Sequence, residues 1–517
     1  MKSFLYTFSA LVLVLLASSC RKDLEFDNYT DRLEFSKDTV YLDTVFTNIG
    51  SSTYNLKVYN RSDNAITIPS IRLGLGQDSE YRLNVDGIAG REFENVEMLA
   101  KDSMFIFIET TIDINNLPNS NNEFLYTDVI EFNTGITSQK VDLVTLVKDA
   151  VFIYPDRDNT TGIIETLSLN IGGESVETDI QGRYLLPEEL VFTNEKPYVI
   201  YGYAAVPNNE TLLVEAGARI HFHADSGILV AEGASLQVQG DFSDDAELME
   251  NEVIFEGDRL EPLFSDVPGQ WGTIWLFEGS VNNEIHHATI KNGSVAILSD
   301  GNPNEINEKL KLTNTQIYNS SNYGILGRNT SISGENVVIN YSGLSSFAGT
   351  LGGKYRFTHS TIANYWNNSF RQFPSVLLNN FQEDGNGTLY LADLTEASFN
   401  NCIIYGNDNP EIILDEVVDS AVVFNFRFNH CLIRFDDPTN AFDGPNYDFG
   451  DTNHYIGNQY NDDPVFRDPH NNDMIIGDNS GAINLGDSDF ANEVPNDILN
   501  VNRTVAPDAG AYQHTSF

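Results

Sequence analysis

The residues that first invite a chemical reading are two cysteines and a histidine. FNNCIIYG (399–406) and FNHCLIRF (428–435) carry Cys402, Cys431 and His430, and the one other cysteine is Cys20. Two thiols beside an imidazole suit half of a zinc site, a redox pair or a disulfide. No C-x-x-C or H-x-x-x-H spacing accompanies them, which argues against a metal. His221 and His223 bracket Phe222 in RIHFHAD, and strand alternation turns both imidazoles outward onto one face. Acid–base chemistry on a glycan needs close-set carboxylates from separate elements. Asp462 and Asp463 are neighbours in sequence only, and Asp384 stands alone in the loop QEDGNG. The acidic run FDGPNYDFGDTN (442–453) offers oxygens of the kind calcium takes, without EF-hand spacing. Calcium is therefore left open, and no metal, cofactor or catalytic residue is assigned.

An internal repeat must position these residues. IHHATIKN (285–292), LTNTQIYN (312–319), GENVVINY (334–341) and FTHSTIAN (357–364) align with the two cysteine-bearing segments. The alignment stacks Ile290, Ile317, Ile339, Ile362, Ile404 and Ile433, spaced 27, 22, 23, 42 and 29 residues apart. Such periods suit coils of a parallel β-helix at about 3.3 Å per residue. The interval of 42 holds either an insertion or an extra coil, with VLLNNF (376–381) as the candidate strand. VEAGARIHF (214–222) and VAEGASLQV (230–238) are an earlier repeated pair, so the β-helix is expected over 201–455.

The column two before the isoleucine reads Ala288, Thr315, Val337, Ser360, Cys402, Cys431 and shares its inward parity. The column five before it is mostly apolar yet has the opposite parity, so the strand bends between them. At the bend stand His287, Asn314, Asn336, His359, Asn401 and His430. Asn and His tolerate the left-handed backbone of a tight corner. His430 is then a corner residue. Cys402 and Cys431 become stacked interior thiols about 4.8 Å apart, disulfide-bonded or packed as small apolar groups. An outward column reads Glu284, Lys311, Ser333, Arg356, Ser398, Arg427. Its basic stripe, Lys311, Arg356 and Arg427, is the expected ligand face. β-Helix polysaccharide lyases resemble one another in pairing such a base with calcium-bound carboxylates.

Upstream, residues 32–150 alternate in runs such as TVYLDTVF (39–46), YNLKVYN (54–60) and SMFIFIETTIDI (103–114), the texture of a β-sandwich. NLKVYNRSDNAITI followed by an AKDS turn resembles Hydin-like immunoglobulin modules, which implies a spacer or docking role. Residues 151–200 read as a connector. The C-terminal part, 456–517, contains Asp463/Pro464/Phe466, Ser480/Ala482/Ile483/Gly486, Asp497/Arg503 and Asp508/Gly510/Ala511/Tyr512. This pattern resembles the choice-of-anchor Q proteins, bacterial surface and secreted β-helix proteins, and implies fold and location more than a reaction. The closing DAGAY is expected to cap the open end of the solenoid.

MKSFLYTFSALVLVLLASSC reads as a leader over 1–19, too short to span a membrane. It resembles a bacterial lipobox, which implies lipid attachment at Cys20 and a tether over 20–31. Arg21, Lys22 and Asp23 resemble a surface-export signal. The implied place is extracytoplasmic: an outer-membrane lipoprotein, surface-exposed and anchored to the membrane by its lipid. With 75 Asp+Glu against 29 Lys+Arg, net −46, nucleic acid is excluded as a partner. The expected chain is all-β, an N-terminal immunoglobulin-like β-sandwich followed by a right-handed parallel β-helix. A monomer with a structural, adhesive or glycan-binding role is expected, its partner an extracellular glycan or surface protein. The alternative is a polysaccharide-degrading enzyme, a lyase or glycoside hydrolase.

Overall fold

A computed structural model describes residues 26–28, 32–116, 123–133, 138–245, 248–301, 303 and 307–517. The leader, Cys20 and most of the tether lie outside the described residues. The chain divides into two compact units, Met1–Asp149 and Ala150–Phe517. Strands dominate both, and the one α-helix among the described residues is the short Ser488–Glu493.

In the first unit, two sheets enclose an apolar core that includes Val40, Leu56, Ile71, Ile106 and Phe132. One sheet centres on Glu123–Asn133 and Ser138–Lys148, which pair antiparallel. The other joins Tyr54–Tyr59, Ser103–Thr110 and Tyr81–Val85. Burial alternates cleanly along Ser103–Thr110, with Met104, Ile106 and Ile108 inside and Phe105 and Phe107 outside. This is the sandwich the alternation predicted.

The second unit is a parallel β-helix. Each coil has a first leg, a corner, a second leg and a third leg. One coil runs through Asn283–Lys291, which holds the first and second legs, and Val295–Asp300, the third. The next runs through Leu310–Ser320 and Tyr323–Arg328, in register residue for residue. All six corner residues have φ between 44° and 53°. The corner continues as Gly457 (φ 61°), where a Cβ would lie 2.5 Å from the His430 ring, so only glycine fits beneath that imidazole. The six isoleucines are fully buried, as are Cys402 and Cys431. The cysteines are free thiols; each donates to backbone carbonyls at 3.3 Å. Burial pushes the Cys431 thiol up. They are packing, not a redox or metal site.

One open alternative is decided and two expectations change. Ile362 pairs directly with Ile404, so the interval of 42 is an insertion. It contains the third leg Val376–Asn379 and a hairpin, Phe381–Glu383 with Leu389–Leu391. Residues 151–200 are no connector: Val151–Ile153 pairs parallel with Tyr198–Ile200, which pairs with Arg219–Phe222. They form the first coil, hidden because a hairpin, Thr166–Ile171 with Glu174–Tyr184, interrupts it. Finally, DAGAY does not cap the open end. Aromatic rings from 435–460 plug that end, Phe449 packing within 4.8 Å of Phe435, Tyr455 and Tyr460.

The tail instead runs back along the outside of the second leg. Outward residues there are apolar, and two clusters bury them. Val338 and Ala363 meet Met474, Ile498, Ala511 and Tyr512, while Ile403 and Leu432 meet Ile476, Ala482 and Ala509. Arg503, 1% exposed, donates to Asn336 Oδ1 at 2.9 Å and to the Gly510 and Ala511 carbonyls. Asp497 and Asp508 accept backbone N–H groups within the tail. The corner ladder and the tail therefore meet at Asn336. N336G and N336A both lose the amide and differ by a single methyl group, so their difference reports the left-handed corner. Urea unfolding should find N336A less stable than N336G by about 1 kcal/mol.

Candidate functional site

The outward basic column stacks as expected: Glu284, Lys311, Ser333, Arg356, Ser398 and Arg427 are successive register partners. Its cations occupy alternate coils, about 10 Å apart, too far to converge on one proton. Arg356 is paired with Glu493 at 2.7 Å, and Arg427 donates to the Asn453 carbonyl at 3.1 Å. Lys311 remains exposed. The stripe is real as a column but is not a catalytic constellation.

The other candidates separate as well. His221 does not reach solvent: its Nδ1 lies 3.2 Å from the Gly257 carbonyl and 3.7 Å from Glu256. His223 turns to Asp258 at 2.7 Å. Neighbouring coils cover the first imidazole, so the two share no ligand. No group of three or more metal-ligating side chains occurs among the described residues. Asp384 accepts the Asn386 and Thr388 N–H groups in its own loop. In 442–453, Asp448 and Asp451 are likewise engaged by local N–H groups.

Two clefts, both unforeseen, gather the polar and aromatic chemistry. The first, of about 720 Å³, is lined by Tyr154, Arg157, Asp179, Tyr201, Tyr203 and His223, among others. It forms where the interrupting hairpin leans over the first coils. Gly202 (φ 66°) lies between the two tyrosines, where a Cβ would strike the Gln181 carbonyl at 2.8 Å. The His223 ring stacks on Tyr201 at 4.3 Å, and its bond to Asp258 holds the imidazole above its usual range. Burial pushes Tyr203 up to about 12, so its hydroxyl stays protonated at neutral pH. Rings on a cleft wall with carboxylates between them suit a ligand with apolar faces and hydroxyl edges.

The second cleft, of about 460 Å³, opens where the returning tail meets the early coils. One wall carries Glu252, His287, Asn314 and Gln316; the other carries Arg467, Asn471, Asp473 and Tyr512. Glu252 directly precedes Val253, the register partner of Ala288, so it sits beside the corner column. It forms no ion pair among the described residues, and Thr289 Oγ1 donates to it at 3.3 Å. Arg219 is nearby, but its guanidinium is spent on five backbone carbonyls. Burial holds the Glu252 carboxyl above the usual range. Asp473 is in a different setting, with Arg467 Nε at 2.5 Å. His287 is pushed down to about 4, first by burial, and is neutral at neutral pH.

No repeat signal in the sequence marks Glu252: the corner column extended one coil upstream lands on Gly240, the residue after Gln239, which is the register partner of His286. Because ionising Glu252 costs the folded state, the native protein holds its proton to higher pH than the unfolded chain. That penalty is present above the Glu252 folded pKa and vanishes below about 4.5, the ordinary glutamate value. E252Q should therefore melt above wild type at pH 8, with the gap closing by pH 4 in scanning calorimetry.

No family model and no curated protein matches the chain. Three solved structures show remote likenesses. A family 123 glycoside hydrolase from Clostridium perfringens is 9% identical over 23% of this chain and 26% of its own, at a TM-score of 0.15. The chain thus spans about a quarter of that structure's length. A PapD-like domain of human CEP192 is 7% identical over 25% of this chain and 96% of its own, at 0.15. The catalytic unit of a GH87 α-1,3-glucanase from Streptomyces thermodiastaticus is 10% identical over 79% of this chain and 66% of its own, at 0.20. At such scores none of them carries an argument about what the chain binds. The sandwich and the β-helix rest on the strand pairings themselves.

Proposed function

We propose that this is a lipid-anchored extracytoplasmic protein that holds a neutral glycan on its β-helix. The tyrosine-lined cleft carries the reading. Tyr154, Tyr201 and Tyr203 offer flat rings for the C–H faces of a sugar, and Asp179, Asp225 and Arg157 offer partners for its hydroxyls. The acids around that cleft, on a chain of net charge −46, disfavour polyanionic glycans and favour uncharged ones. Degradation of the held glycan is the second reading. The observation favouring it is that Glu252 and Asp473 both line the second cleft, one from the β-helix and one from the returning tail, in unlike surroundings.

Affinity electrophoresis in gels containing neutral polysaccharides tests the binding. Retardation of the wild type by at least one of them is expected, with affinity falling about tenfold in Y154A and again in Y201A. Unchanged retardation in the double variant would remove the cleft from the reading. For the anchor, C20S should move the protein from the membrane fraction to the soluble fraction and abolish incorporation of a labelled fatty acid. A C20S chain that stays with the membrane counts against lipidation.

A further inference from the structure

The geometry points to the second cleft as a hydrolytic site, in which Glu252 gives a proton to the glycosidic oxygen of a neutral glycan. This inference rests on the glycan reading and extends it to a reaction. In the step, the Glu252 carboxyl protonates the bridging oxygen, and the bond from that oxygen to the anomeric carbon breaks with its electron pair leaving on the oxygen. Water supplies the hydroxyl that closes the anomeric carbon and passes its spare proton to Asp473. Solvent then returns Glu252 and Asp473 to their starting states, so the balance is one water consumed per bond cut.

Four observations converge on this site. First, the two carboxylates belong to different walls, one on the β-helix and one on the returning tail, with a cavity of about 460 Å³ between them. Tyr512, on the tail wall, reaches Gln316 on the β-helix wall at 3.3 Å, so the two walls close on a common space. Second, their environments differ as an acid and a base require. Glu252 is desolvated and forms no ion pair among the described residues, Arg219 acting on its carboxyl without bonding it, whereas Asp473 is held by Arg467. Third, neutral hydrogen-bonding groups suited to sugar hydroxyls, Asn314, Gln316 and Asn471, line the cavity beside the charged Asp244 and Arg467. His287 adds no competing charge. Fourth, the arrangement works against stability: a half-buried carboxylate that forms no ion pair among the described residues is retained where burial opposes its ionisation.

The test uses the full chain and a panel of neutral polysaccharides: α- and β-glucans, mannan, xylan, arabinan and galactan. Retention on each and the appearance of new reducing ends are measured together. The wild type should release reducing ends from a retained polysaccharide, with the rate falling as pH rises through the Glu252 pKa. Per unit of bound polysaccharide, E252Q should release ~100-fold less or lower still, and D473N should also lose release. The calorimetric rise of E252Q at pH 8 shows that the variant is folded. Retention without release on every retained polysaccharide, or release unchanged in E252Q, overturns the hydrolytic site and leaves the glycan reading standing. No retention of any panel member overturns both.

Discussion

From Ile285 onward the coils of this protein change direction at the same place, and the corner residue meets that demand with a left-handed backbone. An L-residue in that conformation gives up roughly 1–2 kcal/mol, so side chains with something to offer in return are selected there. Asn and His offer it through a stacked ladder. Asn314 donates to His287 at 3.0 Å, Asn336 to Asn314 at 2.8 Å, and Asn401 to His359 at 2.9 Å. The corner also resets parity, which lets both legs of each coil point apolar side chains into one interior. Cys402 and Cys431 occupy that interior as any small apolar side chain would.

The same geometry creates a second problem, which the tail answers. The second leg is apolar outside as well as inside, as parallel sheets covered on both faces are. Residues 461–512 provide the outer cover. They are fastened by Arg503, whose guanidinium is pushed down to about 10 by burial and partly restored by Asp497 and Asp508. The motif residues of the tail are thus explained by its attachment: Asn401 donates to the Asp487 carbonyl, and the Gly510 N–H donates to the Asn401 carbonyl.

How much of this sequence alone could reveal follows from repetition. The corner and the isoleucine column recur coil after coil, and the basic stripe on alternate coils, so one constraint is sampled many times and becomes legible. The clefts come from parts that occur once. Tyr154, Arg157 and Asp179 belong to a first coil broken by a hairpin. Glu252 follows the loop after Ser235–Gln239, and Asp473 arrives from the tail. The stripe shows the same limit from the other side: its register was readable, but the pairing of Arg356 with Glu493, 137 residues away, was not. The tail's residues were recognisable as a pattern, yet nothing in them said which surface they would cover.

That returning tail alters the order in which the protein can become functional. Coils of a solenoid contact only their neighbours and can form as the chain emerges. The cleft at Glu252 cannot, because its far wall lies more than two hundred residues downstream. Tyr512, for example, reaches Gln316 across a separation of 196 residues. A chain interrupted before the tail would keep its ladder and most of its interior but have no second wall. The returning tail completes a cleft begun near the first coils, so maturation of the cleft reports that residues 467–512 have arrived.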